Sequence, residues 1–163
     1  MSREECLLWS DLGFSLLRVY SLLQREEKEL AAQYQLGTPH VEVLYLLSRL
    51  EKEERGQWML VSCLYPYLPI TQPAVGRILK HLSYWRFIEL QRDKGDRRRL
   101  LVRLLPKGYR FIEELEIHRA QILRKFFPKL SRTDLNTWVE AVRNRTFAYA
   151  EPHHVESSMG IRS

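Results

Sequence analysis

Residues 68–103, LPITQPAVGRILKHLSYWRFIELQRDKGDRRRLLVR, narrow the choice of folds more than any other stretch of the chain. Val75, Ile78, Leu79 and Leu82 fall at i, i+3, i+4 and i+7, a single apolar stripe on a helix. At about 100° per residue the opposite direction carries Pro73, Arg77, Lys80 and Tyr84, with Gln72 beside it in the first turn. Thr71 is placed to cap this helix, and Pro73 is tolerated because a first-turn N–H has no helical partner. Gly76 weakens such a helix by about 1 kcal/mol relative to alanine, so a close approach is expected there, by the supporting helix first or else by a polyanion such as DNA. Residues 87–92 and 100–104 then read as paired strands. The tip between them, DKGDRRR, has Gly95 to permit a tight turn. Residues 92–103 hold six basic and two acidic side chains. A charge run alone is usually a solvated tip; this one follows directly on a helix whose outward face carries Arg77 and Lys80, which adds up to an electrostatic footprint for a polyanion.

Helix, strand, charged tip, strand is the order of a winged helix. The flanking sequence predicts helices on both sides of it. Over residues 5–35, Leu8, Leu12, Leu16, Val19, Tyr20 and Leu23 recur at helical spacing, and Leu7, Trp9, Phe14, Leu17 and Leu22 widen the apolar surface beyond one stripe. The tail of this helix, residues 24–29, is charged and expected in solvent. Gly37 is expected to stop it, and Thr38-Pro39 to start the next helix as N-cap and first residue. That second helix should run into EKEERG and stop at Gly56. Residues 58–64 predict a short supporting helix, bracketed by Pro66 and Pro69. A long helix is expected from Pro106 to Phe127, ended by Pro128. Ser131 and Asp134 then resemble a capping box for a last helix with Leu135, Trp138, Val139 and Val142 on one face. Residues 151–163 lack periodicity and predict a mobile tail.

The totals agree with one domain: 163 residues, 45% apolar, net charge +6. Cys6 and Cys63 make neither a disulfide framework nor a metal pattern and suit a reducing compartment. The charged N-terminus with only short apolar runs predicts neither a signal peptide nor a membrane span, hence a cytoplasmic protein. No Gly-rich phosphate loop, metal spacing or nucleophile motif suggests an enzyme, and no cofactor is expected. Of the five histidines, His153 and His154 sit together with no third ligand nearby, so no metal site is expected.

This arrangement resembles the MarR family of bacterial transcriptional regulators. LPITQPAVGRILKHL is similar to the turn and recognition helix of its SlyA-like branch, and RDKGDRRRLLVRLLPKGYRFI to its wing and following helix, with Asp96-Arg97-Arg98 matching the Asp-x-Arg wing motif and Gly108 the glycine after the second wing strand. Pro106 departs from a usual capping threonine, the supporting helix contains Pro66, and Cys6 lies too far upstream for the cysteine of the peroxide-sensing branch. The resemblance implies a mainly α fold with a small β-wing: a single domain over 1–150, with dimerisation helices at 5–36 and 107–150 and a winged helix-turn-helix at 56–105. It implies a homodimeric regulator on a pseudo-palindromic site in double-stranded DNA, with half-sites about one helical turn apart. Gln72 is the candidate for adenine and Arg77 for guanine or phosphate; Thr71, Lys80 and Arg103 are candidates for backbone contacts, with Pro73 and Lys94 beside them. Arg98 is expected in the minor groove, Arg97 or Arg99 on phosphate, and Asp96 to hold a wing arginine by a charge-assisted bond. Relatives often sense small aromatic or anionic ligands, for which Trp9, Phe14, Tyr20, Tyr34 and His40 are the candidate lining. The alternative is a winged-helix protein-interaction module in a larger assembly.

Overall fold

The computed structural model describes residues 2–51 and 55–150, the side chains of 143–150 excepted. The expected tail at 151–163, with His153 and His154, lies outside the described residues, as do residues 52–54 of the run at 51–56.

The first helix, α1 (Arg3–Gln33), starts two residues earlier than its apolar pattern suggests because Ser2 caps it. Ser2 Oγ accepts the Glu5 N–H, and the Glu5 carboxylate accepts the Ser2 N–H at 2.7 Å. The helix ends before Gly37: Gln35 takes a left-handed φ of 58° and the Leu36 N–H returns to the Ala31 carbonyl. Gly37 is instead the N-cap of α2 (Thr38–Leu50), one residue ahead of the expected Thr38 cap, and its own N–H is accepted by His40 Nδ1 at 3.2 Å. Val41, Val43, Leu44 and Leu47 form its buried face. At the other end α2 stops at Leu50 rather than at Gly56. Gly56, at φ 81°, makes the turn beyond, where Glu51 and the Tyr109 hydroxyl accept its N–H.

The region expected as a supporting α-helix differs from expectation. Met59–Leu60 is a strand, β1, and Val61–Tyr67 is a 3-10 helix. Pro66 has no N–H to donate to a carbonyl four residues back, and β3 offers β1 an open edge. The strands β2 (Ile88–Arg92) and β3 (Leu100–Leu104) pair antiparallel with Leu90 opposite Val102, so the sheet is three-stranded in the order β1-β3-β2 rather than a two-stranded hairpin.

Between the 3-10 segment and β2, α3 (Gln72–Tyr84) buries all four residues of its predicted stripe, Val75, Ile78, Leu79 and Leu82. It ends as α1 does, through a non-glycine residue: Arg86 sits at φ 62° and the Phe87 N–H reaches back to the Leu82 carbonyl. Phe87 then joins Tyr34 and Phe111 in a cluster of edge-on rings, 5.0–6.2 Å between centroids. Gly76 meets no atom within 4 Å of where a Cβ would stand, so the helix–helix packing expected there is absent. Gly76→Ala should therefore stabilise the chain by about 1 kcal/mol, read as a raised denaturation midpoint.

α4 (Pro106–Phe126) has Leu105 as a cap without a side-chain bond and Pro106 in its first turn, where no N–H is missed. α5 (Arg132–Ala150) begins with the predicted box: Ser131 Oγ accepts the Asp134 N–H, and Asp134 accepts the Ser131 N–H at 3.0 Å. The core lies between α2, α3, α4, the sheet and the C-terminal half of α1. Outside it, Leu7, Leu8, Trp9, Phe14 and Leu17 of α1 and Trp138 and Val139 of α5 are each more than half exposed. By length and composition alone α1 is also apolar enough to cross a membrane, although Asp11 and Arg18 interrupt it.

Candidate nucleic-acid interface

The outward face of α3 presents Thr71, Gln72, Pro73, Arg77, Lys80 and Tyr84, all exposed. Thr71 is the N-cap residue, as its position suggests, but its hydroxyl makes no capping bond, and Pro73 in the first turn has no N–H to give it. The N-terminus of α3 thus keeps open backbone donors and the positive end of its dipole, the features that suit a phosphate.

At the wing tip the turn is made by Asp93. Its Oδ1 accepts the N–H groups of Gly95 at 2.7 Å and Asp96 at 3.2 Å, which, with Arg99 nearby, hold its carboxyl below the usual range. Space at Gly95 is tight: a Cβ would lie 3.3 Å from that oxygen. Asp96 acts on Arg98 through the backbone: its Oδ1 accepts the Arg98 N–H at 2.9 Å, and no guanidinium pairs with it among the described residues. Arg92 donates to the carbonyls of Arg97 and Arg98 at 3.3 and 3.5 Å. With the tip folded on itself, the side chains of Lys94, Arg97, Arg98 and Arg99 are exposed and in no salt bridge among the described residues. Arg103 is different. It faces Glu89 across the ladder, donates to the Glu89 carboxylate at 2.6 and 2.8 Å, and lies 4.6 Å over the Trp58 ring.

The five aromatic and imidazole candidates for a ligand site are not brought together. Trp9 and Phe14 project from the exposed half of α1. Tyr34 belongs to the aromatic cluster and donates to Glu114, and His40 packs against His81. Tyr20 lines a small cleft with Gln24, Glu27, Val41, Glu42 and Arg119. Its hydroxyl donates to Glu42, and burial, with that bond, pushes its pKa up to about 12, so it stays a neutral donor. At the back of this cleft is a feature the sequence reading missed. Glu27, expected in solvent, is 5% exposed and takes a two-pronged bond from Arg119, Nε to Oε1 at 2.6 Å and Nη2 to Oε2 at 3.0 Å. Burial works against the Arg119 charge, but Glu27 more than offsets it and the pKa is raised.

No family model matches the sequence. A Bacillus subtilis protein described as an uncharacterized HTH-type transcriptional regulator, YsmB, is 25% identical over 129 residues, 77% of this chain and 82% of the relative. Among solved structures, a mutant of MepR from multidrug-resistant S. aureus superposes with a TM-score of 0.70 at 15% identity, covering 84% of this chain and 95% of that one. Sco3205 from Streptomyces coelicolor, a MarR family transcriptional regulator solved in complex with DNA, superposes at 0.67 and 16% identity over 91% and 92%. The architecture here is that of MarR-family regulators. In chain order α3 and the β2–β3 hairpin stand where the sequence places its outward-charged helix and wing, while the Pro66-bearing 3-10 segment stands where the short helix over 58–64 was expected.

Proposed function

We propose that the chain is a homodimeric, sequence-specific regulator of transcription that inserts α3 into the major groove of double-stranded DNA and the wing into the minor groove. The observation that carries this is a set of exposed cations, Arg77 and Lys80 on α3 and Lys94, Arg97, Arg98 and Arg99 on the wing, in no salt bridge among the described residues, at the two ends of one MarR-type reading unit. Gln72 and Arg77 are assigned to base edges, Thr71, Pro73 and Lys80 to the sugar–phosphate backbone, and Arg98 to the minor groove. Arg103, already compensated by Glu89, holds the wing in shape. A second copy of the chain covers the apolar faces of α1 and α5, Trp9 and Phe14 included. Any ligand response belongs to the cleft of Tyr20, Glu42 and Arg119, since Tyr34 and His40 serve the core and the α2 cap.

The test is a titration of the purified chain with mixed genomic DNA across a range of salt. Several phosphate contacts predict a steep loss of affinity with salt. Arg98→Ala should weaken binding on every sequence, whereas Gln72→Ala or Arg77→Ala should also relax base preference, by about 1–3 kcal/mol for a bidentate contact. Absence of binding even at low salt would sink the DNA reading in favour of a protein-interaction module. A monomeric mass in sedimentation would remove the dimer from it.

A further inference from the structure

His40 and His81 meet where α2 begins and α3 ends, with ring centroids 4.4 Å apart and planes tilted by 48°. His40 Nδ1 accepts the Gly37 N–H, so in the neutral ring the proton sits on Nε2. His81 Nε2 is buried and has no hydrogen-bond partner among the described residues. Such an atom is costly to leave unsatisfied, and neither ring belongs to the proposed DNA contacts.

A further proton on this pair meets several obstacles. On His40 it must take Nδ1, which expels the Gly37 N–H and sets a cation at the positive end of the α2 dipole. It also faces the second imidazole. Burial first, and His81 second, accordingly lower the His40 pKa from its ordinary 6.5. The charged groups around this corner offer no relief. Lys107 of α4 is a cation, lying over the rings of Trp85 and Phe87 and donating to the Trp85 carbonyl at 3.0 Å, while the Trp85 ring stands 6.4 Å from His81. Arg77 and Lys80 on α3 are cations too. The carboxylates of the facing helices are engaged elsewhere, Glu42 by Tyr20 and Gln24 of α1, Glu114 by Tyr34.

We propose that the His40–His81 pair is a proton sensor built into the reading unit: neutral, it holds the end of α3 against the start of α2, and on taking up protons it drives the two helices apart and releases the recognition helix from its seat. Its consequence for operator binding rests on the DNA reading above; the device itself does not. Above the ordinary histidine value of 6.5 folded and unfolded chains are both neutral at His40 and nothing is lost. Below it the unfolded chain takes a proton that the folded chain resists, so stability at this corner falls with pH until the lowered folded value is passed.

The experiment uses the full chain and a His40→Asn/His81→Gln double variant, which keeps amide acceptors at both places but cannot titrate. Amide exchange along α3 is followed from about pH 7.5 to about pH 5.5, corrected for intrinsic rates, with DNA affinity measured in parallel. The wild type is expected to lose up to about tenfold in α3 protection relative to the double variant over this pH range, with weaker DNA affinity alongside it. Equal pH dependence of α3 protection in the two proteins overturns the proposal. If α3 loosens with acid but no DNA is bound at any pH, the sensor stands and the DNA reading falls. If the double variant does not fold, imidazole titration of the wild type by NMR decides: a His40 that titrates at or above the ordinary value overturns the proposal.

Discussion

Glu27→Gln is expected to cost the fold about 3 kcal/mol, measured by denaturant unfolding at neutral pH. The carboxylate is almost wholly buried and takes both prongs of the Arg119 guanidinium, which also lies 4.2 Å over the Tyr45 ring. Taking away the carboxylate charge leaves the largely desolvated Arg119 guanidinium without a counter-charge, and that penalty, rather than the attraction lost, sets the size of the effect. The bond joins the C-terminal half of α1 to α4, so the variant should also loosen the α1 end from the winged helix. Glu27→Leu combined with Arg119→Met should recover most of the loss, since an apolar pair of similar volume often does as well as a buried ion pair. A loss below about 0.5 kcal/mol for Glu27→Gln would place this bond with ordinary surface pairs and refute the reading.

Gly108→Ala is expected to cost about 2–3 kcal/mol, the range of a core forced to accept an extra methyl. An added Cβ would stand 2.5 Å from the Phe87 carbonyl oxygen and 3.1 Å from Leu104 Cδ2. That carbonyl accepts the Leu105 N–H at 3.0 Å and cannot retreat without breaking the bond. The variant should melt lower and, on the proposed DNA reading, bind DNA more weakly, because the shift falls where α3 joins the wing. Gly76→Ala supplies the contrast: the same substitution, with open space around it, should raise stability.

Much of the winged unit was legible because its elements are amphipathic over enough length to show a period. The stripe of α3 states which face is buried, and the structure buries it; the two strands read from the sequence pair with each other. The rest failed for identifiable reasons. β1 is two residues long, too short for any period, and was absorbed into the helix predicted over 58–64. The turns that end α1 and α3 use Gln35 and Arg86 in left-handed geometry, where a glycine would have been the signal. Glu27 looked solvated because it lies among charges, and its partner is 92 residues away. At the interface the phase of α3 identified which residues face outward. It carried no information on Arg103, whose partners Glu89 and Trp58 appear only once the strands are paired.

Phe87 links the end of α3, the wing and the start of α4 through its two backbone groups. Its N–H closes the end of α3 on Leu82, its carbonyl takes Leu105 after β3, and Gly108 lies against that carbonyl. The distance and angle between the recognition helix and the wing hairpin are therefore set like the jaws of a locked caliper. A shift of the α3 end at the α2 corner would therefore carry the wing hairpin with it rather than part the two.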